Sequence, residues 1–144
     1  MRGYQVAMDI RNITPDYAVS PQIDVADVPA IKAAGFDTVI CNRPDAEVPP
    51  DQQAPALQAA VEAAGMTFVL NPVTHHGLDD DMVTAQSEAA GHGKTLAYCA
   101  SGTRSTIVWA LGQAGHQPPD AIIAAASVAG YDIAGLRGRL GDAD

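Results

Sequence analysis

Positive charge is scarce in this sequence. Lysine and arginine number 8 against 17 aspartates and glutamates, a formal net charge of −9 with histidine neutral. That balance argues against a duplex nucleic-acid binder and against a binder of anionic membranes, both of which need a basic face. An anionic ligand would have to be caught by a local trap against a repelling long-range field. Long apolar runs are also missing: the longest, Ala121 to Gly130, is too short to cross a bilayer. The segment Met1 to Met8 lacks the apolar centre of an export signal, and Met8 could itself be the start, with residues 1–7 an extension. There are only two cysteines, Cys41 and Cys99. Two thiols without an export signal predict a reduced, cytoplasmic protein rather than a disulfide framework. The four histidines, His75, His76, His92 and His116, have no metal-ligand spacing, so neither a metal nor a cofactor is expected. What the chain has is apolar residues, 47% of 144. That suffices for one core and one domain, residues 1–144.

Short apolar runs alternate with Ala-rich helical stretches, and one phrase recurs. Ile31-Lys-Ala-Ala-Gly35-Phe-Asp-Thr-Val-Ile40 is echoed by Val61-Glu-Ala-Ala-Gly65-Met-Thr-Phe-Val-Leu70. Each reads as a helix end, a left-handed glycine and a buried strand. Strands are expected at Asp9–Ile13, Tyr17–Ser20, Thr38–Asn42, Thr67–Asn71 and Thr95–Cys99. Helices are expected from an Asp24 cap to Ala34, over Gln53–Ala64, from the Asp79-Asp80-Asp81 start to Ala90, and over Arg104–Ala114. Another opens at Pro118-Pro119-Asp120, and a weak one containing Gly135 and Gly138 spans Asp132–Leu140. The alternation predicts an α/β domain with a mostly parallel central sheet flanked by helices.

The chemistry concentrates in Leu96-Ala-Tyr-Cys99-Ala-Ser-Gly102-Thr-Arg104-Ser105-Thr106, where a strand ends, a small-residue loop turns and a helix begins. In an open α/β sheet, ligands bind at such carboxyl ends. Backbone amides of Ala100, Ser101, Gly102, Thr103 and Arg104 can face inward as an anion nest, reinforced by the helix dipole. Gly102 permits a positive φ and a close approach. Arg104 can fork two donors onto a tetrahedral anion. The same field favours the thiolate of Cys99, and a thiolate beside an anion trap is a poised nucleophile. Ser105 could donate to the sulfur as it leaves. The competing reading is a buried structural cysteine before an ordinary turn. The registered set of Cys, Ser, Gly, Arg and Ser outweighs it.

Several separated segments carry a family resemblance: Asp9–Thr14, Ser20–Ile23, Ala34–Ile40, Asn42–Asp45, Pro72–Thr74 and Tyr98–Ser105. In them, from about Met8 to Leu111, the chain resembles the phosphatase-like domain of bacterial beta-lactamase-hydrolase-like proteins, relatives of the dual-specificity branch of the protein tyrosine phosphatases. The resemblance implies a protein-tyrosine-phosphatase-like fold, with Cys99 as nucleophile, Arg104 gripping the anion and Ser105 assisting thiolate departure. Two features depart from the tyrosine phosphatases. Only four residues separate Cys99 from Arg104, one fewer than those enzymes carry, and Tyr98 stands where they usually have histidine. The shorter loop resembles that of rhodanese sulfurtransferases, which cradle a cysteine persulfide.

Three functions follow as expectations. The first is hydrolysis of phosphomonoesters through a cysteinyl-phosphate. The second is sulfur transfer through a Cys99 persulfide, and the third is a non-enzymatic anion or thiol-redox sensor at the same site. The partner is then a small anionic or persulfidated molecule, and the Ala-rich C-terminal helix could pair two copies into a homodimer. Asp45, Asp79, His75 and His76 are the candidate general acids, each with a plainer reading as a turn, cap or loop residue. Arg43 is either a second anion grip or a surface partner of Asp45. Cys41 reads as a core thiol before it reads as a resolving one. Trp109 reads as core.

Overall fold

The structure is a computed structural model that describes residues 9–74 and 79–140. Its strands are β1 (Arg11–Thr14), β2 (Tyr17–Ser20), β3 (Thr38–Cys41), β4 (Thr67–Leu70) and β5 (Thr95–Tyr98). They form one sheet in the order β1-β2-β5-β3-β4, with β1 antiparallel to β2 and every other pair parallel. The helices are α1 (Val28–Ala33), α2 (Ala54–Ala63), α3 (Asp80–Ala90), α4 (Thr103–Gln113) and α5 (Pro119–Val128). The expected α/β domain with a mostly parallel sheet is present. No helix among the described residues is long and apolar enough to cross a membrane.

The central strands read as continuous apolar runs because both faces are covered. Val39, Cys41, Leu96 and Tyr98 point to one side, where Ile31 of α1 and Leu57 and Val61 of α2 pack against them. Ile40 and Ala97 point to the other, against Trp109 and Ala110 of α4 and Ile122 and Ala126 of α5. Trp109 is 6% exposed and stacks on Tyr17 with ring centroids 6.0 Å apart, as a core residue. Complete burial of side chains such as Leu57 and Ile31 stabilises the domain by about 1.5–3 kcal/mol each.

Local signals set the boundaries. Asp24 builds a capping box, accepting from Ala26 N at 2.7 Å while the Asp27 carboxylate accepts from Asp24 N at 2.9 Å. The first turn it caps is a 3₁₀ turn over Val25–Asp27, so the α-helix proper starts later than the cap suggests. The repeated phrase yields two matching junctions, with Gly35 at φ 96° and Gly65 at φ 87°. Asp79 caps α3 by accepting from Met82 N at 3.0 Å. The weak helix expected over Asp132–Leu140 is a 3₁₀ segment, Ala134–Arg139. Gly135 and Gly138 inside it weaken α-helix continuation.

Candidate functional site

Strands β2, β5 and β3 are in register, with Ser20 beside Tyr98 and Tyr98 beside Cys41. The chain segments that leave them therefore meet at one edge of the sheet. The loop after β5 carries Cys99, whose backbone N–H donates to Ser20 O at 3.3 Å. The side chain of Cys99 is fully buried. Its Sγ accepts the backbone N–H of Gly102 at 3.1 Å, so the loop curls over the sulfur. Gly102 has φ 93° and ψ −10°, the left-handed conformation, and occupies the N-cap of α4. It has no side chain to occupy the first-turn amides, and those of Arg104 and Ser105 have no intrahelical carbonyl to meet.

The cradle differs in two details from a ring of inward-facing amides. Thr103 N–H donates to Ser101 Oγ at 3.3 Å, and Ser101 Oγ donates to Thr103 Oγ1 at 2.9 Å. These two exposed residues therefore bond to each other. Ala100 is also exposed on the loop. Tyr131 braces the outside, donating from its hydroxyl to Ser101 O at 3.0 Å. A Cβ on Gly102 would overlap that hydroxyl, so Gly102 is required for space as well as for φ.

Arg104 lies beside the sulfur and interacts with it. Its guanidinium has five N–H donors. Nη1 donates to Glu47 Oε2 at 3.0 Å and to Val73 O at 2.8 Å, and Nη2 donates to Glu47 Oε1 at 2.8 Å. These bonds take three donors, and the other two, one on Nε and one on Nη2, are the ones available to the Cys99 sulfur and to an anion. Those two share an edge, the geometry that grips two oxygens of a tetrahedral anion. Glu47 thus anchors the guanidinium from behind. Arg104 holds the Glu47 carboxyl below the usual carboxylate range, with Arg43 adding to the effect. The Arg104 pKa is raised, chiefly by its hydrogen bond to Glu47.

Arg43 does not pair with Asp45. It bonds Glu47 Oε1 at 3.2 Å through Nε and Gln22 Oε1 at 3.2 Å through Nη1. The Asp45 carboxylate instead accepts from Ala54 N at 2.7 Å at the start of α2. Arg43 therefore joins the cluster through the same carboxylate that anchors Arg104. Cys41 is a core thiol: it donates to Arg43 O at 3.3 Å, packs on the α1 and α2 face, and has its pKa pushed up by burial. Among the general-acid candidates, Asp45 and Asp79 are occupied as described, and His75 and His76 lie outside the described residues. Among the described residues no group of three or more His, Cys, Asp or Glu could hold a metal ion.

Ser105 is fully buried, and its hydroxyl donates to Asn42 Oδ1 at 2.8 Å rather than to the sulfur. Sequence reasoning did not anticipate Glu47, Tyr131 or Asn42. The first two are brought in from distant loops. Asn42 had a signal, because both copies of the repeated phrase run into an asparagine, Asn42 or Asn71, as the strand ends.

Residues 9–116 match the family described as "Beta-lactamase hydrolase-like protein, phosphatase-like domain". The chain belongs to that family. A beta-lactamase hydrolase-like protein of Agrobacterium fabrum is 33% identical over 98 residues, which cover 67% of this chain and 23% of the relative. The chain thus spans about a quarter of that relative's length. A candidate phosphatase of Neisseria meningitidis, known as a crystal structure, is 33% identical, with a TM-score of 0.81 over 95% of this chain and 99% of its own. Kinase associated phosphatase, in a form whose catalytic-site cysteine is replaced by serine, has a TM-score of 0.65 at 14% identity, covering 90% of this chain and 88% of its own. That likeness carries the fold alone, which is protein-tyrosine-phosphatase-like. The chain is a phosphatase-like domain.

Proposed function

We propose that the domain hydrolyses phosphomonoesters through a cysteinyl-phosphate on Cys99. The carrying observation is the Cys99 sulfur under the Gly102 N–H at 3.1 Å, beside an Arg104 guanidinium that Glu47 and Val73 anchor from behind and that interacts with the sulfur. In this reading the phosphoryl oxygens take the first-turn amides of Arg104 and Ser105 and the Nε and Nη2 edge of Arg104. The thiolate attacks phosphorus, an S–P bond forms, and the ester P–O bond breaks with its electron pair on the leaving oxygen. Water then attacks phosphorus, the S–P bond breaks, inorganic phosphate leaves and the thiolate returns. Preorganised N–H donors stabilise the charge that builds on the phosphoryl oxygens in both steps. Asp45 and Asp79 are held in helix-start contacts. Aryl phosphates, whose leaving groups need the least protonation, are the substrates to assay first.

One observation favours a second reading. With four residues between Cys99 and Arg104, the ring is short. A smaller ring suits a terminal persulfide sulfur, which would pass from a sulfane donor to an acceptor thiol.

A side-by-side assay decides between them. Hydrolysis of an aryl phosphate, blocked by vanadate, supports the phosphatase. Thiocyanate from thiosulfate and cyanide, with a one-sulfur adduct on Cys99 by mass spectrometry, supports the sulfurtransferase and overturns the first reading.

A further inference from the structure

Behind the loop, buried side chains form a hydrogen-bond network whose directions are fixed by backbone carbonyls, which can only accept. Asn71 Nδ2 donates to Met82 O at 2.9 Å, and Asn42 Nδ2 donates to Asn71 O at 2.9 Å. Both amides are thereby oriented. Their NH₂ groups also donate to Gln86 Oε1, at 2.9 Å from Asn71 and 2.8 Å from Asn42. Gln86 must then turn Nε2 the other way, where it donates to Asn42 Oδ1 at 2.9 Å and to the Tyr17 hydroxyl at 3.0 Å. Tyr17 donates its own proton to Ser105 O at 2.8 Å. Asn42 Oδ1 therefore accepts from two donors, Gln86 Nε2 and the Ser105 hydroxyl. Asn42 and Ser105 are 0% exposed and Gln86 is 1% exposed, so bulk water does not compete for these bonds.

This arrangement bears on the moment when sulfur leaves phosphorus. The Ser105 hydroxyl has one proton, and in the resting site Asn42 holds it. If Ser105 assists thiolate departure, as the family resemblance implies, its hydroxyl must rotate away from Asn42 to do so. A carbonyl oxygen left buried and unpaired is costly. Asn42 Oδ1 is not left so, because Gln86 Nε2 stays on it. We infer that Gln86 and Asn42 are positioning residues. Asn42 parks the Ser105 proton, and Gln86 keeps Asn42 satisfied while that proton swings to sulfur. The inference rests on the phosphatase reading and concerns its second half alone: water attacks phosphorus, the S–P bond breaks with its electron pair on sulfur, and Ser105 donates a hydrogen bond to the thiolate without losing its proton.

The test compares Gln86→Met with the unaltered protein on an aryl phosphate, by steady-state and pre-steady-state kinetics. With Nε2 gone, release of the serine would orphan Asn42 Oδ1, so breakdown of the cysteinyl-phosphate slows. A fall of about tenfold in kcat is expected, matching one buried hydrogen bond. KM falls in parallel, kcat/KM is unchanged because it reports the first chemical step, and a burst of the aryl alcohol appears. Ser105→Ala gives the same pattern, and adding Gln86→Met to it changes kcat no further. Where Gln86→Met fails to fold, Gln86→Asn, which keeps the amide but shortens its reach, carries the same expectation. Equal loss in kcat and kcat/KM, no burst, or additive loss in the double variant overturns the inference and marks the network as structural. An unaltered protein that releases no phosphate overturns the phosphatase reading instead.

Discussion

The domain uses a left-handed glycine for two different ends. At the amino ends of β3 and β4, Gly35 and Gly65 close helices α1 and α2, and their N–H groups are taken by Lys32 O and Glu62 O, each at 3.0 Å. At the carboxyl end of β5, Gly102 opens a helix, and its N–H goes to a side-chain sulfur at 3.1 Å. The same backbone conformation satisfies the chain's own carbonyls in the first case. In the second it leaves the amides of Arg104 and Ser105 without an intrahelical partner. The lesson is that a site is made by which end of a helix the glycine serves.

The largest break in that comparison is removal of the sulfur. Cys99→Ser should lower aryl phosphate turnover by at least about 1,000-fold with the fold intact by circular dichroism. Next comes Gly102→Ala, which strains φ and displaces Tyr131 from Ser101. It should lower kcat/KM by about 100-fold, since small misplacements of reacting groups cost that much. Glu47→Gln removes the carboxylate that fixes the Arg104 fork while leaving Val73 O, and should lower kcat/KM about tenfold. At the remote junctions, Gly35→Ala or Gly65→Ala meets no close side chain. Either should cost about 1–3 kcal/mol of unfolding free energy by denaturant titration and leave kcat/KM unaltered. If Gly65→Ala impairs turnover as much as Gly102→Ala, the contrast between the two junctions fails.

Acid sharpens the same point. The Glu47 carboxyl titrates below its ordinary value because Arg104 and then Arg43 favour its charged form. Its contribution to stability is complete above the unfolded-state value and is lost as pH falls through the folded-state value. Denaturant midpoints taken between about pH 5 and pH 3 should therefore drop more steeply for the unaltered protein than for Glu47→Gln. Equal slopes would remove the ion pair from the account.

Much of this could be read from the sequence, and the reasons are local. The repeated Ala-Ala-Gly phrase predicts both helix ends and the strands after them, because a left-handed glycine acts on its immediate neighbours. The run from Cys99 to Ser105 could be read for the same reason: strand, turn and helix start are contiguous there. The two short strands at Arg11–Thr14 and Tyr17–Ser20 were legible as strands, whereas their antiparallel pairing is seen only in the structure. What stayed hidden depends on residues far apart. Glu47 reaches Arg104 across 57 positions, and nothing in the stretch around Glu47 marks it. Arg43 reads from the sequence as either a second anion grip or a partner of Asp45, but it bonds Glu47 and Gln22 while Asp45 turns to the N-terminus of α2. Gln86 looks like a surface residue of a polar helix and is 1% exposed, because the asparagines ending β3 and β4 face it from the sheet.

The level alignment of β2, β5 and β3 also limits how this domain can diversify. An insertion of a single residue in any of these strands reverses every side chain beyond it. Asn42 would leave the interior, or Cys99 would trade places with its neighbour. Strand lengths are thus held fixed by geometry. New specificities are easiest to gain where the chain has left the sheet away from the sulfur, in the segment after Ser20, which can lengthen or change composition without disturbing the loop that holds Cys99.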